Sequence, residues 1–316
     1  MIRWIAGACL VGLAGLILAL RLQSRTPERF VVAKGASARE IAHNLRHQGL
    51  LWHPWTFVCW VKLCGKNGIH PGYYLLSPRL TGYQIYRTFR QGPPVVRVTF
   101  PEGWSAQQMA VLLKAKEITP AEPFMVLVKQ QHLEGYLFPD TYFFEQGLAP
   151  QGVLDRMVRR FHEQEPRDLK GQVKVLKLTY NQIVTLASLV EKEARVPEER
   201  SLIAGVYRNR LRRRMRLEAD PTVQYALGGW KEKLNYKDLA VESPYNTYRH
   251  YGLPPGPICN PGAASLAAAA HPTRSEYLFF VADPATGRHT FSKTYQEHLV
   301  AQHVKRRVRT SVGAAK

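Results

Sequence analysis

The chain holds 316 residues, enough for two or three domains with a substantial core. Its 45% apolar content is ordinary for a folded protein. A formal charge of +20 implies a polyanionic neighbourhood, whether nucleic acid, anionic lipid or an acidic wall polymer, and leaves the three open.

The N-terminus opens on "WIAGACLVGLAGLILAL", Trp4 to Leu20, an uncharged run between Arg3 and Arg21. Its length is close to the lower limit for a spanning helix, so residues 1–22 are expected to form a transmembrane anchor. A cleaved signal peptide is the rival reading. It lacks a clear small-x-small site after the run, where Arg21 follows at once. Local charges do not orient the segment, because Arg21, Arg25 and Arg29 outnumber Arg3. No second apolar run of that length follows, so the remainder is expected to be one soluble body on one side of a membrane.

Residues 29–93 read as a small α/β unit. "VVAKGASAREIAHNL" gives a strand, a Gly turn, a Ser N-cap and a short amphipathic helix. An apolar helix around "PWTFVCWVKLCG" follows, then a strand-like "GYYLLS" and a helix in "TGYQIYRTFRQG" closed by Gly92. "GPPVV" reads as the boundary. The opening pattern then recurs in "VTFPEGWSAQQMAVLL", where Gly103 answers Gly35, Ser105 answers Ser37, Ala110 answers Ala42 and Leu113 answers Leu45. Two copies do not make a solenoid. They read as two strand–turn–helix units, one opening each region.

Residues 97–310 form the larger region. "EGYLFPDTYFF" predicts a structured loop or short strand with a Pro-Asp turn. Helices are predicted around Gly152 to Glu165, over Tyr180 to Arg195 and over Glu198 to Arg214, with a break near Pro197. A Pro-, Gly- and aromatic-rich stretch, "PYNTYRHYGLPPGPICNPG", precedes a small-residue helix, "AASLAAAAHP". A hairpin-like "YLFFVADPATGRHTF" and a basic helix from Tyr295 to Arg307 close the chain. The mixture lacks a βαβ rhythm, which favours α+β. Cys9 lies in the apolar run, Cys59 and Cys64 are five apart in a helical stretch unsuited to bridging them, and Cys259 stands alone. No metal-ligand spacing appears, so neither metal nor cofactor is expected.

"LASLVEKEARVPEER" presents four glutamates, Glu191, Glu193, Glu198 and Glu199. Thr179 and Gln182 fit a capping box for the helix that carries the first two. Ile183, Leu186, Ala187, Val190 and Ala194 share a face, Lys192 points away, and Glu191 and Glu193 flank the apolar stripe. A carboxylate beside an apolar wall is where desolvation suits a general acid. The wheel does not separate the two, and both also fit as boundary residues pairing with Lys192, Arg195 or Arg200. Glu198 and Glu199 fit the first turn of the next helix.

"LASLVEKEA", "VYRNRLRRRMRLEADPTVQYALG", "SPYNTYRHYGLPPGPICNPGAASLAAAAHP" and "YLFFVADPATGRHTFSKTYQEH", together with "EGYLFPDTY", resemble in order the YceG-like family, the MltG-type endolytic murein transglycosylases. The resemblance spans Val98 to His303 and, more loosely, Phe30 to Gln91, where the family carries a LysM-like subdomain. It implies a single-pass protein of the bacterial inner membrane with an extracytoplasmic catalytic body. Its partners would be peptidoglycan glycan strands and penicillin-binding synthases, not nucleic acid. It also implies a lyase reaction: non-hydrolytic cleavage of the β-1,4 bond between N-acetylmuramic acid and N-acetylglucosamine within a strand, leaving 1,6-anhydromuramoyl ends and terminating strand growth. The first Glu of the family's V-E-K-E block falls on Glu191, which would act as acid and then base.

A glycoside hydrolase uses two carboxylates, and Asp220, Glu193 and Asp140 are available for a second. Asp220, Thr222 and Gln224 are candidates to line a sugar groove, with Asp220 fitting equally as a cap before Pro221. Tyr245, Asn246, Thr247 and Tyr248 offer aromatic faces and amide or hydroxyl groups suited to N-acetyl sugars. A non-catalytic peptidoglycan-binding scaffold of the wall-synthesis machinery is the alternative, which the intact V-E-K-E block disfavours.

Overall fold

The structure is a computed structural model that describes residues 27–303, apart from 66–67, 79, 230, 232 and 284–285. The described chain divides into two compact units. One holds the residues up to Val96 together with Glu145–Gly147, and the other holds Arg97–Phe144 and the residues from Leu148 onward. The mixed α+β class stands, but the transmembrane helix expected within it is corrected. No helix among the described residues is long and apolar enough to cross a membrane. The longest bounded helix has 15 residues, short of the roughly 20 a bilayer requires. The apolar run Trp4–Leu20 on which the expectation rested lies outside the described residues.

In the first unit, β1 (Glu28–Val32) pairs antiparallel with β2 (Gly72–Leu76), placing Phe30 opposite Tyr74. Helices α1 (Ala38–His47), α2 (Pro54–Cys64) and α3 (Gly82–Gln91) cover the ribbon. Two of the three start on capping boxes, Ser37 with Glu40 and Thr81 with Gln84. Phe30, Leu45, Leu50, Phe57, Leu76, Ile85 and Phe89 fill a dry core between them.

The second unit follows β3 (Val95–Thr99), which pairs with β4 (Thr141–Glu145). Between these strands lie α4 (Ala106–Ala115) and α5 (Ala121–Gln130). Beyond them come α6 (Pro150–Gln164), α7 (Leu169–Leu176) and α8 (Tyr180–Glu193). A 3₁₀ turn, Pro197–Glu199, separates α8 from α9 (Arg200–Arg212), and α10 (Asp220–Ala226), α11 (Tyr236–Leu239) and α12 (Ala263–Ala270) follow. The antiparallel pair β5 (Phe279–Ala282) and β6 (His289–Ser292) comes next. The chain is helical again from Tyr295 as far as it is described.

α8 is the axis of this unit. Thr179 and Gln182 cap its start in the reciprocal way the sequence predicts. Every residue from Ile183 to Val190 is buried, so the single apolar stripe read from the sequence is too narrow. The helix is enclosed on all sides by α7, α9, α10 and α12. Its buried hydroxyls are satisfied locally: Thr185 Oγ1 donates to the Asn181 carbonyl at 2.8 Å and Ser188 Oγ to that of Thr185 at 2.7 Å. Its two ends emerge, and the last turn carries Glu191 and Glu193.

Candidate active site

Glu191 sits in the last turn of α8, half-buried, where the enclosed helix reaches the surface. Its Oε2 accepts the Gly262 N–H at 3.0 Å. Gly262 is the N-cap of α12, so the carboxyl group rests against the positive end of a helix of eight residues. The neighbouring wall is the turn Pro101–Trp104. Gly103 there has φ +76°, and a β-carbon on it would stand 3.5 Å from Glu191 Cγ. Lys192 Nζ donates to the Gly103 carbonyl at 3.4 Å, closing the same wall.

A second carboxyl group stands beside the first. Glu102 packs against Gly262, where a β-carbon would meet its Oε1 at 1.8 Å. Gly262 therefore accommodates Glu102 on one side and donates its N–H to Glu191. Burial, then the charge of Glu191, pushes the Glu102 carboxyl above its ordinary range, and Arg200 pulls it back. Arg200 itself is oriented by Ser265 in the first turns of α12, 3.2 Å from Nε to Oγ.

Asn260 fixes this wall. Its Oδ1 accepts the N–H groups of Gly135 and Leu137, both at 2.9 Å. Its Nδ2 donates to the Trp104 carbonyl at 3.0 Å and to Glu134 Oε1 at 3.1 Å. Its backbone pairs with Gly103 and Trp104 at 3.0 and 2.9 Å. One fully buried amide thus ties the 101–104 turn, the 134–137 block and the 258–262 segment together. The last segment is also tied to α8, because the Ile258 N–H donates to Ser188 Oγ at 3.1 Å. The Pro- and Gly-rich segment 258–262 is held by these bonds as well as by its prolines.

Glu134 also accepts the Ala106 N–H at 3.0 Å. Burial pushes its carboxyl up to about 7, with the hydrogen bonds from Ala106, Asn260 and Tyr225 opposing. Glu193 faces away from this group. It accepts the Tyr207 hydroxyl at 3.0 Å, and burial, helped by Asp220, pushes it up to about 7 as well.

The residues expected to bind sugar divide sharply. Thr222, Gln224, Asn246 and Thr247 are buried and turned inward. Thr222 Oγ1 donates to the Ala219 carbonyl at 2.7 Å and shares a 2.9 Å hydrogen bond with Thr247 Oγ1, which accepts the Ala219 N–H at 3.0 Å. The Gln224 amide clips the Lys231 backbone with two bonds of 2.7 Å. Asn246 Nδ2 donates to the carbonyls of Leu239 and Val241, both at 2.9 Å. These four hold the surrounding loops, because buried polar groups must find partners. Asp220, exposed at the start of α10, accepts the Tyr248 hydroxyl at 2.5 Å. The Tyr245 ring lies 4.8 Å from that of Tyr225. Asp220, Tyr245 and Tyr248 remain accessible from solvent. Asp140, the other candidate for a second carboxylate, is paired with Arg160 at 2.7 Å. Glu198 and Glu199 fall in the 3₁₀ turn before α9, but Glu199 is buried and grips His289 on β6, 2.7 Å from Oε2 to Nδ1.

Sequence reasoning passed over Glu102, Glu134 and Asn260. Each stands in a stretch it had marked, "FPEGWS", "EGYLFPDTY" and "ICNPG". In two of the three the polar residue directly precedes the turn glycine. A concavity lined by Gln172, Arg208, Arg212, His271 and Arg274 contains none of these carboxyl groups.

A model of the YceG-like family matches residues 30–304. An endolytic murein transglycosylase of Bacillus subtilis is 32% identical over 326 aligned positions, which span 94% of this chain and 90% of that protein. One from Streptococcus pneumoniae is 29% identical, over 86% of this chain and 58% of that protein. A solved YceG-like protein from Listeria monocytogenes superposes with a TM-score of 0.57 at 33% identity, covering 87% of this chain and 100% of the other.

Proposed function

The chain belongs to the YceG-like family, and from that premise we propose that Glu191 is the proton carrier of an endolytic murein transglycosylase, a lyase acting on peptidoglycan. The observation that carries this reading is the placement of Glu191. A helix buried from Ile183 to Val190 carries this carboxyl group out of the core in its last turn and holds one of its oxygens on Gly262 N–H.

The chemistry needs a proton donor at the glycosidic oxygen and then an acceptor for a sugar hydroxyl proton. Protonated Glu191 donates to the leaving oxygen as the bond from muramoyl C1 breaks. The carboxylate then takes the proton of the muramoyl C6 hydroxyl, whose oxygen closes on C1. No water is consumed, Glu191 regains its proton, and the product ends in a 1,6-anhydro ring. Burial and then the charge of Glu191 raise the Glu102 carboxyl, so the two carboxyl groups against Gly262 disfavour being ionised together. Gly262 N–H and the α12 N-terminus stabilise the carboxylate formed in the middle of the cycle. Tyr245, Tyr248 and Asp220 are the accessible groups left to contact sugar.

The wall polymer lies outside the plasma membrane, so this reading puts the catalytic unit on that side. Cutting within strands suits release of glycan during synthesis, with penicillin-binding synthases as the favoured partners; failure to recover them after crosslinking would remove that part. Glu191→Gln tests the central assignment. It should abolish strand cleavage, a loss of about 10³-fold or more, with the unfolding transition unchanged. Retained activity in a folded Glu191→Gln protein would refute it.

A further inference from the structure

Residues 41–101 contain no Asp or Glu, yet they hold seven Lys and Arg. In the middle of this carboxylate-free stretch lies α2, which is apolar on both sides. Phe57 and Val61 face the core of the first unit. Trp55, Cys59 and Leu63, spaced one turn apart, face out, with Trp55 65% and Leu63 77% exposed. Trp52, just before the helix, is 75% exposed. Trp60 packs on Tyr83 at the start of α3, ring centroids 4.7 Å apart, and both rings stay open to solvent. Lys62 and Arg87, the latter one turn beyond Tyr83, are exposed beside these rings.

A helix apolar all round normally lies inside a protein or in lipid, and a contiguous exposed apolar patch marks an interaction surface. The shape and chemistry here select the partner. The ridge is convex, and α2 carries no carboxylate or carboxamide to orient a sugar. A concavity of this unit lies elsewhere, against Lys34, Arg39 and His43. Trp and Tyr rings favour the headgroup level of a bilayer, Leu the acyl boundary, and Lys and Arg the phosphates above. Anionic headgroups complement a stretch that has cations and no acids. We propose that the outer face of α2, the Trp55–Cys59–Leu63 ridge with Trp52 and the Trp60–Tyr83 pair, docks onto the interface of an anionic lipid bilayer. The face seats peripherally and sets the first unit on the membrane surface.

Cys59 lies in the ridge and serves as the probe. In the full chain carrying Cys9→Ser and Cys64→Ser, it is the remaining accessible thiol, since Cys259 is buried. An environment-sensitive fluorophore on Cys59 should shift to the blue with phosphatidylglycerol vesicles and be quenched by lipids brominated on their acyl chains. Phosphatidylcholine vesicles should give a weaker response, and salt should weaken the anionic one. The same label placed by Arg39→Cys on α1, with Cys59→Ser added, should not respond. Adding Trp55→Ser and Leu63→Ser should abolish the Cys59 response while leaving cleavage of soluble glycan strands unchanged. No quenching on vesicles that carry the protein would overturn the proposal. So would equal responses to both lipids, or a response to soluble glycan strands or a purified synthase in place of lipid.

Discussion

The two strand–turn–helix units share a local code and differ in what surrounds it. Gly35 and Gly103 both turn the chain with positive φ, +84° and +76°. Ser37 and Ser105 both accept the N–H three residues on and complete capping boxes, with Glu40 and Gln108 respectively. Both helices have ten residues and bury matching positions, Ala42 and Leu45 in one, Ala110 and Leu113 in the other. Yet a β-carbon at Gly35 would meet nothing within 4 Å, while one at Gly103 would touch Glu191 and Lys192. The residue before the glycine is Lys34 in the first turn and Glu102 in the second. Identical local structure thus serves as plain scaffolding in one unit and as the wall of a reactive carboxyl group in the other. The chemistry comes from what is brought against the turn.

That contrast can be broken at several strengths. Asn260→Ala removes what fixes the second turn and leaves the Gly135 and Leu137 N–H groups without their partner. It should cost about 2–4 kcal/mol in denaturant unfolding and lower kcat further than stability alone explains. Glu102→Lys makes the second turn read like the first. It should cut strand cleavage with little change in stability, because a cation replaces the carboxyl group packed beside Glu191 and Gly262. Glu102→Gln keeps the shape and removes only the charge, and should lower strand cleavage less than Glu102→Lys does. Full activity in both variants would separate Glu102 from Glu191.

Glu134 and Glu193 sharpen the comparison through stability, because each is an acid with a strongly raised pKa in the second unit. Each carboxyl rises from 4.5 to about 7 in the folded chain. Between those values the folded state binds more protons than the unfolded state. The stability they contribute is therefore full below pH 4.5 and is lost as pH rises toward 7. Glu193→Gln, which keeps an acceptor for Tyr207, should flatten this slope in a series of Tm measurements across pH. Gly35→Ala and Gly103→Ala should each cost about 1 kcal/mol of backbone strain, but only the second should reduce kcat. Ser37→Ala and Ser105→Ala should each cost about 1 kcal/mol and differ least.

Much of this was legible in the sequence. The capping box at Thr179, the break at Pro197 and the echo of Gly35 in Gly103 follow from local rules that tertiary contacts did not override. The hairpin near the C-terminus and the strand at "GYYLLS" followed too. The inward turn of Thr222, Gln224, Asn246 and Thr247 was not legible. Residue type says that an amide or hydroxyl needs a partner, not whether that partner is a sugar or the Lys231 backbone. In irregular loops no periodicity assigns a side chain to a face. Glu102 was hidden for a related reason: its significance lies in Gly262, 160 residues away in sequence. The helical wheel could not separate Glu191 from Glu193. The structure turns them to different neighbours, one to Gly262 and the other to Tyr207.

The most direct measurement is digestion of purified glycan strands in water enriched in heavy oxygen, with product masses read by spectrometry. Intramolecular capture by the C6 hydroxyl predicts muramoyl ends one water lighter than reducing ends and free of heavy oxygen, and predicts that Glu191→Gln forms none. Reducing ends carrying heavy oxygen would show that water is the nucleophile and contradict the mechanism.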